Sequence, residues 1–527
     1  MNPLFLTDGY KTGHHQQYPK GTTLVYSNFT PRSNKYAPKG CDQLVSFGQQ
    51  MVVREIHEAF DRDFFSRPKA EVCGEMKREL SMYLNTDYDV SHFEALHDLG
   101  YLPIHVKAIE EGELVPMKVP VLTIYNTHPD FYWVTNYLET IISNLLWKPM
   151  TSATIAHAYR KLFTAWQEKT DAEKGWFVDW QAHDFSMRGL DSIDATISSG
   201  LGHLTSFSGS DSLPAIYGAR KFYDETEFVA GSVNATEHSV MCAGSKEDEV
   251  GTFRNLMETY PTGILSIVSD TWDLWKVCTE HIVTLKEEIL ARDGKVVIRP
   301  DSGNPVDIIC GEYNIEDEKN GVEFALVDES GKVLSSVEDI NNWKTSPIGK
   351  GVIELLWDVF GGTVNEQGYK VLDPHIGAIY GDSITLDRAE QIFKRLEAKG
   401  FASTNIVLGV GSFTYQYNTR DTFGFAMKAT YVELKVPSAT IAIADGGSYE
   451  YPMVEGREIF KDPITDDGTK KSARGLLKVF KTTLENDVVL HDQCTWAEET
   501  EGILQTIYKD GHFFNETNLT AIRTKLK

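Results

Sequence analysis

Lys295-Val-Val-Ile-Arg299-Pro300-Asp301-Ser302-Gly303-Asn304-Pro305 begins as a strand and ends as a turn. Three apolar residues suit a short buried strand, and Pro300 then fixes φ and removes a donor, so the ladder stops there. Asp, Ser, Gly and Asn complete a turn. A strand broken in this way delivers Arg299 and Asp301 rigidly to its C-terminal end. The same grammar recurs on both sides, in VDWQAHDF (178–185), GILSIVSD (263–270), IGAIYGDS (376–383) and NIVLGVGS (405–412). Helical stretches follow, such as LDRAEQIFKRLEAKG (386–400), acidic at its start and closed by glycine. Strands alternating with helices predict an α/β fold with a parallel sheet. Chemistry gathered at the C-terminal ends of many strands points to a (β/α) barrel-like domain. On periodicity alone, a doubly wound open sheet remains the alternative.

Outward from this core the rhythm changes. Residues 1–150 and 425–527 alternate less and are expected to form together a mixed α+β domain, leaving 151–424 as the barrel-like catalytic domain. Two stretches read as surface insertions. Residues 311–350 contain EFALVDESGKVLSS, a strand–turn–strand pattern, and residues 436–458 contain TIAIADGGSYEYPMV, a hairpin pattern.

Composition narrows the function. The formal net charge of −25 argues against sequence-independent nucleic-acid binding. It also means that an anionic ligand must be drawn by local Arg and Lys groups or by a divalent cation. No apolar run approaches the roughly 18 residues of a membrane span, and the N-terminus lacks the pattern of a signal peptide. The six cysteines form no C-x-x-C pair, so a reducing, cytoplasmic setting is expected.

Several strand ends carry residues suited to chemistry. Gly409-Val410-Gly411-Ser412 would let backbone N–H groups approach a phosphate, or is simply a tight turn. There is no third glycine for a dinucleotide fingerprint and no G-K-[ST]. Gly381-Asp382 offers a carboxylate to a sugar diol, or caps a helix; Ser269, Asp270 and Asp273 also follow an apolar run, and Asp270 reads equally as a helix cap. Glu237-His238 pairs a carboxylate with an imidazole able to move a proton or attack phosphorus, although any one of 15 histidines is more often structural. Phe185 could stack on an aromatic ring or belong to the core. Arg420, Lys428, Lys461 and Lys470-Lys471 supply positive charge late in the chain.

In order along nearly the whole chain stand TDGYK (7–11), HDFSMRG (183–189), SGSD (208–211), ATEHS (235–239), VSDTWD (268–273), IRPDSGNP (298–305), YGDS (380–383), GVGS (409–412), NTRD (418–421) and FKDP (460–463). As an ordered set they resemble the nicotinamide phosphoribosyltransferase family, a branch of the type II phosphoribosyltransferases. The resemblance implies transfer of phosphoribosyl from phosphoribosyl pyrophosphate to nicotinamide, giving nicotinamide mononucleotide and pyrophosphate in NAD salvage. Mg²⁺ and ATP would take part, in a homodimer whose active sites are shared between subunits. It also implies roles: Phe185 stacks on the nicotinamide ring, opposite Tyr10 of the partner subunit; Asp211 accepts from the carboxamide near Ser232, Ser269 and Arg299; Asp301, Gly381 and Asp382 hold the ribose. Arg188, Gly411 and Ser412 bind phosphate, with Arg32, Arg420, Lys428, Lys461, Lys470 and Asp8 completing the substrate site from the terminal segments. His238, beside Glu237 and oriented by Asp273, would be phosphorylated by ATP. The chain departs from the family pattern at Gly411-Ser412-Phe413, where several glycines are usual, and at Ala426, where a serine is. The closest rival is a nicotinate phosphoribosyltransferase of the same fold, which Asp211 disfavours by repelling an acid. A phosphate-binding barrel isomerase or aldolase would need a Schiff-base lysine or an enolising glutamate at a strand end.

Overall fold

The computed structural model describes residues 1–312, 326–327, 333–334, 337–442, 448–462, 464–465 and 473–527. By contact density the chain divides into one unit of residues 1–155, 217–227 and 418–527, and another of residues 156–216 and 228–417.

In the second unit, seven parallel strands form one sheet, in the order Gly209–Ser210, Ala182–Asp184, Ile406–Val410, Ile376–Tyr380, Asp293–Arg299, Thr262–Val268 and Asn234–Ala235. Its two edges meet. Ser210 N–H donates to the Gly231 carbonyl at 3.1 Å and Gly231 N–H to that of Ser208 at 2.9 Å, a seam three residues before the last strand. The expected barrel-like α/β fold is therefore what the chain adopts. All five apolar runs form strands, although VDWQ is helical and only Ala182–Asp184 is extended. The strand Asp293–Arg299 shows how the sheet works. Val296 and Ile298 are fully buried, whereas Lys295, Val297 and Arg299, on the alternate face, line a central cavity.

The other unit holds an antiparallel sheet in the order Ser448–Glu458, Ala426–Ala442, Thr22–Thr30, Leu122–Asn126, Ile104–Ile109, Leu504–Lys509 and His512–Phe513. Strands from both chain ends thus share one sheet. The segment 436–458 forms the expected hairpin, the end of Ala426–Ala442 pairing antiparallel with Ser448–Glu458 at the edge of this sheet; its turn, 443–447, lies outside the described residues. Within 311–350, Leu326–Val327 pairs antiparallel with Val333–Leu334, as the sequence pattern predicts. Among the described residues no helix is long and apolar enough to cross a membrane.

Residues 217–227 join the terminal unit through buried polar contacts rather than sequence proximity. Tyr223 O–H donates to Glu111 at 2.8 Å, the Gln50 backbone N–H donates to the same carboxylate at 2.8 Å, and Gln50 Nε2 donates to the Phe222 carbonyl at 2.8 Å. Glu225 accepts from the Thr520 N–H and O–H at 2.9 and 2.8 Å. Burial of Glu111 outweighs its hydrogen bonds and pushes its carboxyl up to about 7.

A carboxyl raised in the folded state favours folding fully below its unfolded pKa, and that contribution is lost as pH rises towards the folded value of about 7. Glu111→Gln removes the titration. Between pH 4.5 and 8 its stability should therefore rise relative to the parent by on the order of 1–3 kcal/mol. Urea unfolding of both proteins at the two pH limits checks this; equal changes would show that Glu111 is not proton-linked.

Candidate functional site

The C-terminal ends of the parallel strands carry one constellation. Phe185 follows Ala182–Asp184, its backbone N–H bonded to the Val410 carbonyl at 3.0 Å and its half-buried ring 4.6 Å from that of His183. His183 Nε2 lies 3.2 Å from Asp211, whose same oxygen accepts from the Ser232 hydroxyl. Burial would raise the Asp211 carboxyl, but these two partners and the charge of Arg299 prevail and hold it below its usual value. Phe185, Asp211, Ser232 and Arg299 all line the central cavity, of about 420 Å³, whose other walls are largely apolar. A flat ring with one polar substituent fits such a lining.

Arg299 is the guanidinium of this site. One Nη donates to the Thr236 carbonyl, and its buried Nε has no hydrogen-bond partner. Burial lowers its pKa against the attraction of Asp301, Asp211 and Asp270. Ser269 does not face the cavity as expected. It is fully buried, donates to the Ile267 carbonyl at 2.7 Å, and its backbone N–H donates to the Arg299 carbonyl at 2.9 Å, so it backs Arg299.

Beyond Arg299 stand two further carboxylates. Burial raises the Asp301 carboxyl, with Arg299 opposing and Asp270 and Asp382 reinforcing the shift. The glycines here serve these acids. A Cβ on Gly381 would sit 1.8 Å from Asp301 Oδ1, and one on Gly411 1.9 Å from Asp382 Oδ1. Sequence reasoning assigned Gly411 to phosphate approach, yet in the structure it first makes room for a carboxylate. Arg188 is exposed in the turn Met187–Gly189, and that turn lies against Ser412.

His238 opens the helix His238–Ala243 and is half exposed. Its Nδ1 meets the Thr271 hydroxyl at 3.1 Å, and its Nε2 lies 3.9 Å from Asp270. Orientation by Asp273 is not what the structure has: that carboxylate accepts from the Lys276 N–H at 3.0 Å, capping a short helix, and adds to the burial that pushes Glu249 up to about 7. Glu237 is engaged by the Ser239 hydroxyl, two residues on.

The remaining expected residues gather elsewhere, within the terminal unit. A cavity of about 870 Å³ is lined by Asp8, Tyr10, Arg32, Arg420, Lys428 and Lys461, and also by Lys118, Glu139 and Trp147, which sequence reasoning missed. Strand register makes this cluster: Asn28 pairs with Lys428 across neighbouring strands, and Arg32 Nε donates to the Gly424 carbonyl at 2.8 Å. Burial lowers the Lys428 pKa, and the cations Arg32, Lys11 and Lys461 act in the same direction against Glu139. Tyr10 is 65% exposed, so its ring is available to a ligand. Lys470 lies outside the described residues.

Comparison with known proteins adds to this geometry. The profile "Nicotinate phosphoribosyltransferase (NAPRTase) family" matches residues 180–442, and "Nicotinamide phosphoribosyltransferase, N-terminal domain" matches residues 2–64. A protein of Acinetobacter baylyi named nicotinamide phosphoribosyltransferase is 46% identical, the alignment covering 100% of this chain and 97% of that one. One of Mycoplasma pneumoniae with the same name is 32% identical, over 90% and 95% of the two chains. Among solved structures, human nicotinic acid phosphoribosyltransferase is similar with a TM-score of 0.51 at 15% identity, covering 99% of this chain and 92% of that one, a likeness of fold.

The close approach at Gly381 sets a test. Gly381→Ala must displace Asp301 and should cost about 1–3 kcal/mol of stability through overpacking. Gly74→Ala is the control. It lies in the helix Lys69–Leu84 with open space around it and should be neutral or stabilise by up to ~1 kcal/mol. Thermal denaturation of the two variants decides; equal melting temperatures would mean that Asp301 moves aside freely.

Proposed function

The chain belongs to the nicotinamide phosphoribosyltransferase family, and we propose that it joins nicotinamide to the phosphoribosyl group of phosphoribosyl pyrophosphate, releasing pyrophosphate. One observation carries the choice of base: Asp211, held ionised between His183, Ser232 and the charge of Arg299 at the mouth of an apolar cavity. A carboxamide N–H can donate to that carboxylate, whereas a nicotinate carboxylate would face like charge. The product is nicotinamide mononucleotide, a step of NAD salvage.

The chain's residues divide the work by charge. Phe185 lies flat against one face of the pyridine ring and holds its nitrogen in line with the ribose carbon. Asp301 and Asp382 take the ribose hydroxyls. As the bond to pyrophosphate breaks, positive charge builds on the sugar ring and negative charge on the departing oxygens. The carboxylates then favour the sugar, and Arg188 with basic residues favours the leaving group. Among the described residues no group of three or more His, Cys, Asp or Glu side chains is placed to hold a metal ion, so Mg²⁺ would enter with the pyrophosphate. Pyrophosphate would be its principal ligand, with the exposed Asp382 as the chain's own donor. When bound, the cation neutralises developing phosphate charge.

The cationic cavity of the terminal unit needs an anion, and the barrel site needs a second aromatic face. A homodimer with shared sites meets both needs: Tyr10, Arg32, Arg420, Lys428 and Lys461 of the partner subunit would complete each barrel site. ATP enters through His238. The imidazole attacks the γ-phosphorus, the bond to the ADP oxygen breaks, and later hydrolysis of the phosphohistidine returns the ring. That cycle couples ATP hydrolysis to nucleotide synthesis. All six cysteines are free thiols, five of them buried, which suits a reducing cytoplasm.

Assay of nicotinamide against nicotinate, with Mg²⁺ and with or without ATP, tests the reading directly. Losing a hydrogen bond to a charged partner costs about 1.5–3 kcal/mol, one to two decades in specificity. Asp211→Ser should therefore lower kcat/KM for nicotinamide and raise relative use of nicotinate; an unchanged ratio would place Asp211 away from the carboxamide.

Shared sites make a second prediction. Phe185→Ala and Tyr10→Ala should each be severely impaired as pure proteins. Mixed dimers made by co-expression contain one site with both lesions and one with neither, so activity should reappear. No recovery, with mixed dimers shown to be present, would sink the shared site.

A further inference from the structure

The cationic cavity of the terminal unit has one wall that no sequence motif announces. Lys118 lines it, with Arg32, Lys428 and Lys461. The chain reaches Lys118 through a turn that follows the strand Leu114–Pro116 and is closed by the Val119 N–H on the Pro116 carbonyl at 3.4 Å. Lys118 holds the third position of this turn with φ +72°, the left-handed geometry of a type II turn, where glycine or asparagine is the usual residue. Among the described residues nine non-glycine residues have positive φ, and five of them are Asn or Asp, which tolerate it; Lys118 is the one cation. Strain of this kind persists where the surroundings fix it, and it gathers where ligands are clamped. Here the surroundings do fix it. The Lys118 N–H donates to the Pro31 carbonyl at 2.6 Å; the next residue, Arg32, donates its own N–H to the Phe423 carbonyl at 3.0 Å and its Nε to that of Gly424 at 2.8 Å. One short run of backbone thus pins the Lys118 turn on one side and the segment after Arg420 on the other. Five cations line the cavity against two acids, and both acids are engaged: Glu139 by Lys11 at 3.0 Å, Asp8 by the Thr140 hydroxyl at 2.6 Å. No carboxylate among the described residues pairs with the exposed Lys118 ammonium.

We propose that Lys118 is a further binding residue of the transfer reaction: its ammonium, carried on a strained turn where the fold calls for glycine, holds the leaving pyrophosphate. The inference rests on the shared-site reading and deepens it. Pyrophosphate is the more highly charged end of phosphoribosyl pyrophosphate, and a cavity with five cations suits it better than a single phosphate does. Lysine fits the task because it is a compact charge with rotatable donors on a flexible stem, able to follow an oxygen as it departs. The pinned turn fixes where that stem begins. Since no internal ion pair must be broken, the ammonium gives its full charge to the incoming anion. Its exposure also means that salt screens the contact, so Lys118 counts most at low ionic strength.

Three substitutions separate charge from conformation. Lys118→Gly removes the ammonium and relieves the turn, Lys118→Ala removes the ammonium and keeps the strain, and Lys118→Arg keeps a charge. The reverse reaction, nicotinamide mononucleotide with inorganic pyrophosphate and Mg²⁺, reads the two anions separately. The Gly and Ala variants should raise KM for pyrophosphate at least about fivefold and leave KM for the mononucleotide within about twofold. Lys118→Arg should stay within about twofold of the parent in both constants. The deficit should shrink as salt rises from about 50 to 300 mM, a change that a purely structural lesion would not show. In thermal denaturation the Gly variant should melt above the Ala variant, because only glycine accepts the turn without strain. An unchanged KM for pyrophosphate in the Gly variant, a rise confined to the mononucleotide, or a deficit unmoved by salt overturns the proposal. A Gly variant melting below the Ala variant overturns the strained turn on which it stands. Titration calorimetry with inorganic pyrophosphate and Mg²⁺ keeps the proposal apart from the functional reading. If the Gly variant binds pyrophosphate at least about fivefold more weakly than the parent, yet the parent makes no nicotinamide mononucleotide, the transferase reading fails and the anion site stands. If the parent is an active transferase and both proteins bind pyrophosphate equally, the reading stands and Lys118 has no part in it.

Discussion

The barrel site depends on keeping acids apart without removing them. Asp211, Asp270, Asp301 and Asp382 stand at the ends of parallel strands and just beyond them, with one half-buried guanidinium, that of Arg299, among them. Like charges at such spacing cost several kcal/mol in a partly dry environment unless each is separately satisfied. Each acid has a different answer. Asp211 has a histidine and a hydroxyl, and Asp270 has two backbone N–H groups and the Ser302 hydroxyl. Asp301 and Asp382 have space, created by the glycines that directly follow two strands, Gly381 and Gly411. The sheet fixes these spacings, so the arrangement exists before any substrate arrives, which is the condition for electrostatic catalysis.

The net charge of −25 then becomes intelligible. The protein does not collect anions by a global field. It gathers Arg32, Lys118, Lys428 and Lys461 in one cavity of the terminal unit, while acids cluster at the strand ends of the other unit. Lys428 is partly desolvated among other cations, so an anion entering there gains more than it would from the same lysines spread over a surface.

How much of this could be read in the sequence follows from where the forces are local. The five apolar runs announce themselves because parallel strands are buried on both faces. The edge strands Gly209–Ser210 and Asn234–Ala235 do not, since two polar or small residues leave no periodicity to detect. Phe185 and Arg299 were legible because a turn follows each apolar run, whereas Asp211, after no apolar run, was legible only through the ordered set of motifs. The role of Asp270 was not, because a helix cap and a carboxylate bonded to residues 31 and 32 positions away look alike in sequence. Tyr217–Glu227 shows the same limit. Its place is set by Glu111, Gln50 and Thr520, contacts whose partners lie from about one hundred to almost three hundred residues off.

The register that builds the cationic cavity also sets the order in which the protein can be made. Thr22–Thr30 finds Leu122–Asn126 early in synthesis, but its other neighbour, Ala426–Ala442, emerges some three hundred residues later. At ribosomal rates that interval is roughly 15–60 s. Residues 156–417, apart from 217–227, hold one compact unit that is fully translated in the meantime. Throughout, one side of Thr22–Thr30 waits with its backbone groups unpaired, the kind of edge on which foreign strands assemble. The nascent chain is therefore most exposed to misassociation when its barrel segment is already complete, and chaperone protection is needed longest by its first hundred and thirty residues.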